Sequence, residues 1–432
     1  MNTRRQLERV RKFGRQMGPG LITGAADDDP SGIATYSQAG AQFGYTMLWT
    51  MPFTFPLMVA IQLVSARIGR VTGKGLAHNM RELLPGWAVN VIVLLLVVAN
   101  TINIGADLSA MGDALELVSG SNPHSGTIAF ALICLLLQVY VPYVRYARFL
   151  KWLTFSLLTY VAVLVLVKLD YSALLKGLLI PTLPGSSATM MFVAVLGTTI
   201  SPYLFFWQSA QEVEEIDANG TASALIDAPS QARTELKRIR ADTIAGMAAS
   251  NLIALAIMLA TAATLSASHT TINTAADAAQ ALRPAAGKFA ELMFALGIIG
   301  TGLLAVPVLA GSAAYAVADR LKVHASLAAK PSQAISFYSV IALSIAIGVA
   351  IDWSSISPIQ ALVWSAVVNG VVAVPLMAAM MLVVRRHAIM GKFPGSRWEV
   401  RLGWVATIVM AVAALAMLTQ MFLAGSSGGG AA

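Results

Sequence analysis

The sequence predicts an all-α polytopic membrane protein of eleven transmembrane helices: two inverted five-helix repeats plus one extra helix, with the first and sixth helices broken at the bilayer midplane. Three observations predict it. The composition is 57% hydrophobic and only 12% charged, against about a quarter charged in a soluble globular domain. Apolar segments long enough to cross a membrane follow one another along the chain. Two of them, the first and the sixth, are interrupted by a proline among small and polar residues.

In order, the apolar segments cover about 17–43, 46–66, 88–118, 126–143, 149–168, 188–216, 242–267, 288–317, 334–351, 358–384 and 402–424. The third, sixth, eighth and tenth are long enough to tilt or to project from the bilayer. The basic residues check the number of crossings. Of 29 Lys and Arg, 25 fall on alternate connections, and only Lys168, Lys176, Arg283 and Lys288 fall on the others. A missed crossing would move every later connection to the wrong side, so this asymmetry supports eleven, with a cytoplasmic N-terminus and an extracytoplasmic C-terminus in the plasma (inner) membrane.

Residues 1–16 form a basic cytoplasmic segment without the short apolar core and small-residue cleavage site of a signal peptide. Residues 17–385 form the core, with repeats over about 17–168 and 188–384, and residues 386–424 hold the eleventh helix and the loop before it. Residues 425–432 read as a disordered tail, and 217–241 as an inner loop containing a short amphipathic piece. The net charge of +8 flanks the apolar spans and does not form a nucleic-acid surface. A lone cysteine, Cys134, sits within an apolar run, which leaves no disulfide framework and no Cys-rich metal site.

The first break is Gly24-Ala25-Ala26-Asp27-Asp28-Asp29-Pro30-Ser31-Gly32. A bilayer core solvates neither carboxylates nor free backbone groups, so three aspartates beside a proline mark an ion site. The second is Gly197-Thr198-Thr199-Ile200-Ser201-Pro202-Tyr203, five spans later. Paired interruptions of this kind leave half-helices whose bare carbonyls hold ions in secondary transporters. Prolines 52, 56, 142, 307 and 375 read as simple kinks or helix ends. Asn100, Asn103 and Asn369 read as interhelical hydrogen-bonding residues, Asn369 also as a site candidate. His78, His124, His269, His324 and His387 fall in loops or at span ends without metal-ligand spacing and read as solvated. Glu212 and Glu215 share a helix face that is either a cation-attracting vestibule or a plain solvated helix end.

Several strings carry a family resemblance. Gly18-Pro19-Gly20, Asp29-Pro30-Ser31-Gly32 and Gln38-Ala39-Gly40-Ala41-Gln42-Phe43-Gly44-Tyr45 resemble the first helix of the NRAMP (natural resistance-associated macrophage protein) divalent-metal transporters. Ala106-Asp107-Leu108, Asp242-Thr243 and Ser357-Pro358-Ile359-Gln360-Ala361-Leu362-Val363 are weaker matches over the same core. The resemblance implies the leucine-transporter fold and a cation held between the first and sixth helices. By position it places the carboxylate ligand on Asp29 and two carbonyl ligands on Ala26 and Thr198. The family's Asn and Met ligands correspond to Gly32 and Ser201.

Those departures have chemical consequences. Thioether sulfur favours transition metals, whereas carboxylate, carbonyl, hydroxyl and water oxygens suit Mg2+, Ca2+ and Mn2+. Mg2+ keeps several of its waters and binds through one or two carboxylates. A wider, all-oxygen, hydrated site follows, similar to that of the prokaryotic NRAMP-related magnesium transporters. Consecutive aspartates point about 100° apart on a helix, so Asp27, Asp28 and Asp29 cannot all face one ion. Asp28 or Asp27 binds the ion's waters, lines the vestibule, or caps a helix or pairs with an arginine. The positions that the family associates with proton movement are here Tyr203, Ala110 and a ninth span without Lys, Arg or His, and Asp107 alone remains. Transport without proton coupling is therefore expected.

The expected substrate is a divalent cation, Mg2+ or Mn2+, with the lipid bilayer as the other partner, no resident cofactor and a monomeric chain. The competing readings are a proton-coupled Mn2+ or Fe2+ importer, a sodium-coupled amino-acid carrier, whose substrate carboxylate the aspartates would repel, and a non-transporting metal sensor. No His-Glu-x-x-His or Gly-x-Ser-x-Gly motif points to an intramembrane enzyme.

Overall fold

A computed structural model describes residues 19–141, 155–218, 220–266, 272–323, 326–327, 331–354 and 356–428. The basic segment 1–16, Pro142, the basic stretch 145–151, His269, His324 and the last four residues lie outside the described residues.

The first predicted span is two helices, α1 (Pro19–Asp27) and α2 (Pro30–Phe43). The next are α3 (Thr50–Thr72), α4 (Gly86–Ser119), α5 (Pro123–Tyr140) and α6 (Leu158–Leu166). The sixth is again a pair, α7 (Gly185–Thr199) and α8 (Pro202–Ala218). Then follow α9 (Ala232–Leu265), α10 (Ala290–Leu321), α11 (Ile335–Ile351), α12 (Pro358–Val384) and α13 (Arg397–Gly428). Among the described residues every predicted crossing contains a helix, the fifth only the short α6, and the two breaks fall at Pro30 and Pro202. The chain is a multi-pass membrane protein: among the described residues eight helical stretches are long and apolar enough to cross alone, and Phe155–Leu166 and α11 are shorter apolar helices.

Two boundaries differ from expectation. α9 begins ten residues before the predicted 242 and absorbs the amphipathic piece of the preceding loop. The cause is a charge ladder along its first turns, where Arg238 meets Glu235 one turn before it and Asp242 one turn after it. α13 continues through Gly428, so the first residues of the predicted tail extend a helix. Pro56, Pro307 and Pro375 sit inside continuous helices and Pro52 lies near the start of α3. Cys134 is a core residue with no exposure.

The helices pack in two groups. α9 packs on α1, α2 and α3, and α8 on α3, while α4 packs on α10, α11 and α5. α12 lies across both, against α7, α4 and α2. Glycines set the closest approaches. A Cβ at Gly24 would collide with the backbone of Gly246 on α9, and one at Gly197 with the carbonyl of Ala366 on α12. Each broken span is thereby pressed on a continuous helix, so the interrupted backbone is enclosed by protein and kept from lipid.

Candidate metal centre

The two prolines free two particular carbonyls. In a continuous helix the carbonyl of residue 26 would accept from the amide of residue 30, and that of residue 198 from residue 202; both are prolines and have no N–H. The Ala26 carbonyl accepts instead from the Tyr203 hydroxyl at 3.3 Å, and the Thr198 carbonyl from Ser201 Oγ at 2.6 Å. Ser201 Oγ also lies 3.1 Å from the Gly197 carbonyl, so its proton is directed back into its own half-helix.

Asp29 is the N-cap of α2, in extended backbone conformation. Its Oδ1 accepts from the Gly32 amide at 2.7 Å and Ser31 Oγ at 2.8 Å. Its Oδ2 accepts from Asn103 Nδ2 at 3.1 Å and the Tyr203 hydroxyl at 3.2 Å. Oδ1 therefore secures the start of the half-helix, and Oδ2 points across to α4 and α8. Asn103 is held from its other side by Ser365 Oγ of α12, which donates to its Oδ1 at 2.6 Å. Three helices, α2, α4 and α8, thus bond one buried carboxylate and α12 braces it through Asn103, with Asp29, Tyr203, Asn103, Ser365, Ser201 and Thr198 all at most 1% exposed.

Gly32 faces this centre. A Cβ there would lie 3.1 Å from Thr198 Oγ1, 3.3 Å from the Tyr36 ring and 3.4 Å from Asp29 Oδ1. Residue 32 thus sits between the two breaks, where even a methyl group would be a tight fit. Thr198 Oγ1 is buried without a hydrogen-bond partner. The predicted set Asp29, Ala26, Thr198, Ser201 and Gly32 is brought together.

The other candidates distribute differently. Asp107 on α4 is fully buried, with the Ser31 amide directed towards it but neither oxygen in full hydrogen-bond geometry. Asp27 and Asp28 turn away from Asp29 and share Ser250 Oγ of α9; neither pairs with an arginine among the described residues. With Asp27 at 1% exposure, a vestibule role for it does not fit: the end of α1 is pressed on α9. Asn369 is fully buried and neither of its side-chain polar atoms has a partner, which corrects the interhelical reading; Asn100 does bond across, to the Leu309 carbonyl and Ser312.

Glu212 is fully buried, whereas Glu215 keeps an exposed side chain. Both pair with Arg238 of α9, at 2.7 and 3.0 Å, because α9 extends far enough to present it. His124 is not simply solvated either: it pairs with Asp352 at 2.6 Å and stacks on Trp353.

Among the described residues no three His, Cys, Asp or Glu side chains converge in metal-binding geometry. The centre is instead one carboxylate amid carbonyl, hydroxyl and carboxamide groups, a hard donor set.

Residues 20–420 match the profile of the family described as natural resistance-associated macrophage protein-like. The chain belongs to this family. Among similar NRAMP-family proteins, a divalent metal cation transporter of Erwinia tasmaniensis is 31% identical over 317 residues, covering 70% of this chain and 73% of the other. One of Pectobacterium carotovorum is 27% identical over 403 residues, 91% of each chain. The manganese transporter of Eremococcus coleocola superposes with a TM-score of 0.72 over 94% of this chain and 85% of that one, at 17% identity. A second structure, MhsT in complex with L-phenylalanine, gives 0.60 over 92% and 98%, at 13% identity. At such identities the likeness concerns the fold, which is that of the leucine transporter. The sequence pointed to the two breaks and Asp29, and the family resemblance supplied the other ligand candidates of this NRAMP chain; Asn103 was read as an interhelical contact, and Ser365 and Ser250 were overlooked. Their only signal was a polar residue within an apolar span.

Proposed function

We propose that this NRAMP-family chain carries divalent cations across the membrane by alternating access, Mg2+ foremost and Mn2+ also, as partly hydrated ions and without proton coupling. The observation that carries the reading is the donor set: one buried aspartate and two proline-freed carbonyls on facing half-helices, joined by residues bearing neither sulfur nor imidazole. Its relatives named as divalent metal cation transporters support the substrate class. The carbonyls of Ala26 and Thr198 and the carboxylate of Asp29 would bind the ion, with Ser201 adding a hydroxyl and Gly32 no side chain. Such a donor set suits an ion that releases its waters reluctantly. A membrane potential acts on each transported charge with about 2.3 kcal/mol per 100 mV, enough to drive accumulation without a second ion. The N-terminus is assigned to the cytoplasm and the C-terminus to the opposite side.

One observation favours a second reading, a proton-coupled Mn2+ or Fe2+ importer. Asp107 is an ionisable group, fully buried near the centre and weakly partnered, as a proton carrier would be. Proteoliposomes separate the two. Mg2+ entry is followed with an internal dye while internal pH is recorded, with Asp29→Ala as control. Saturable, Asp29-dependent Mg2+ entry at constant pH is expected; Mn2+ entry with acidification and no Mg2+ entry would replace the first reading with the second.

A further inference from the structure

The geometry points to Asn103 as a further ligand to the transported cation, presented by α4 through a turn of its carboxamide. This inference rests on the Asp29-centred reading above and adds a ligand from outside the two broken spans.

Asn103 has no exposure, and its side chain bridges Asp29 of the first span and Ser365 of α12. Its Nδ2 lies 3.1 Å from Asp29 Oδ2, the carboxylate oxygen not committed to capping α2. In an octahedral site with Mg2+–oxygen bonds of 2.0–2.1 Å, neighbouring ligand atoms lie about 2.9 Å apart. The carboxamide head thus already stands at ligand-to-ligand distance from Asp29 Oδ2, and so does the Tyr203 hydroxyl at 3.2 Å. An ion bound to Oδ2 on this side meets the carboxamide whichever of its ends faces inward.

In the observed arrangement that end is the NH2, which repels a cation. A half-turn of the amide about its terminal torsion exchanges oxygen for nitrogen at nearly unchanged positions. Ser365 permits the exchange. Its hydroxyl proton has a second acceptor, the Leu362 carbonyl at 2.7 Å, so its oxygen can accept from the turned Nδ2. The turned carboxamide therefore keeps its tie to α12. What it loses is the bond to Asp29, and the cation replaces that bond. Without a cation, Asn103 neutralises part of the Asp29 charge by donating to it; with one, it supplies an oxygen. Asn100, one turn earlier, lacks this choice. Its Nδ2 is held by the Leu309 carbonyl at 2.9 Å, an acceptor that cannot become a donor.

A residue that merely positions Asp29 would affect all cations alike, whereas a ligand sets preference by its own softness. The test uses the purified full chain and isothermal titration with MgCl2 and CdCl2. For Asn103→Cys, Mg2+ affinity is expected to fall at least tenfold and Cd2+ affinity to rise at least tenfold relative to the unaltered chain. A parallel fall for both ions, or no change in either, overturns the assignment. Asn103→Asp, of the same shape, covers the case in which the cysteine variant does not fold: its second carboxylate is expected to tighten Mg2+ binding at least fivefold, and unchanged or weaker binding overturns the assignment. Asp29→Ala keeps the two readings apart. Absence of Asp29-dependent binding in the unaltered chain would overturn the transport reading and this inference with it. Asp29-dependent binding with neither effect at position 103 would overturn this inference alone.

Discussion

At Asp29 four donors converge on two oxygens, and in the proposed site a cation takes the place of at least one of them. The pair on Oδ1 builds the helix start, so displacement falls on the Oδ2 side, where Tyr203 divides one proton between that oxygen and the Ala26 carbonyl. Tyr203→Phe frees two of the proposed ligand oxygens of a competing donor. Since a net hydrogen bond is worth about 1 kcal/mol, Mg2+ affinity should rise about fivefold by titration calorimetry; unchanged affinity would remove Tyr203 from the cation's path. At position 32 even a methyl would press on Thr198 Oγ1 and the Tyr36 ring. The double exchange Gly32→Asn with Ser201→Met crowds this place with an amide and a soft sulfur. Mg2+ uptake into proteoliposomes is expected to fall about tenfold, equivalent to about 1.4 kcal/mol, while Mn2+ and Cd2+ binding tightens. Undiminished Mg2+ uptake would sink the ligand assignment.

At the scale of the helix, the proposed site depends on two missing amides. Pro30 and Pro202 stand at the first positions of α2 and α8, where proline is well tolerated, and the amides they lack leave the carbonyls of residues 26 and 198 without their helical partners. Pro202→Ala offers an N–H to the Thr198 carbonyl and competes with the Ser201 hydroxyl that now bonds it. The expected outcome is a melting temperature equal to or above that of the parent together with transport at least tenfold slower. Full transport in this variant would show that the Thr198 carbonyl is dispensable. The continuous helices have the opposite task. α9 and α12 hold the half-helices by close backbone approach at Gly24 and Gly197, where any side chain would force the pairs apart.

For the molecule as a whole, Arg238 is the tie at the ends of the sixth and seventh spans. It meets Glu212 at 2.7 Å, Glu215 and Glu235 at 3.0 Å and Asp242 at 3.3 Å, and Glu235 passes the connection to Arg70 of α3 at 3.2 Å. Glu212 is fully buried, so removing its partner strands a charge. Losing one member of a buried pair costs about 3–5 kcal/mol. Arg238→Ala is expected to lower the melting temperature in detergent strongly, and adding Glu212→Gln to recover part of the loss. Equal melting of the single and double variants would mean that Glu212 is not the stranded group.

The sequence by itself determined the crossings and the two breaks, while the carbonyls of Ala26 and Thr198 came from the resemblance to the NRAMP family. The first two follow from information within a few residues: apolar length, the positions of Lys and Arg, and a proline among small and polar residues. Asp29 was legible for the same reason, as a carboxylate beside a break in an apolar span. Only the tertiary structure decided what surrounds it. Asn103 and Tyr203 reach Asp29 across 74 and 174 residues of chain, and Ser250 takes Asp27 and Asp28 away from it across more than 220. Those contacts depend on how neighbouring helices rotate and how closely their glycines let them approach, and periodicity along one helix carries no record of its neighbour's rotation. The Arg238 cluster was hidden likewise, because the early start of α9 is set by charges that meet only once the helix has formed.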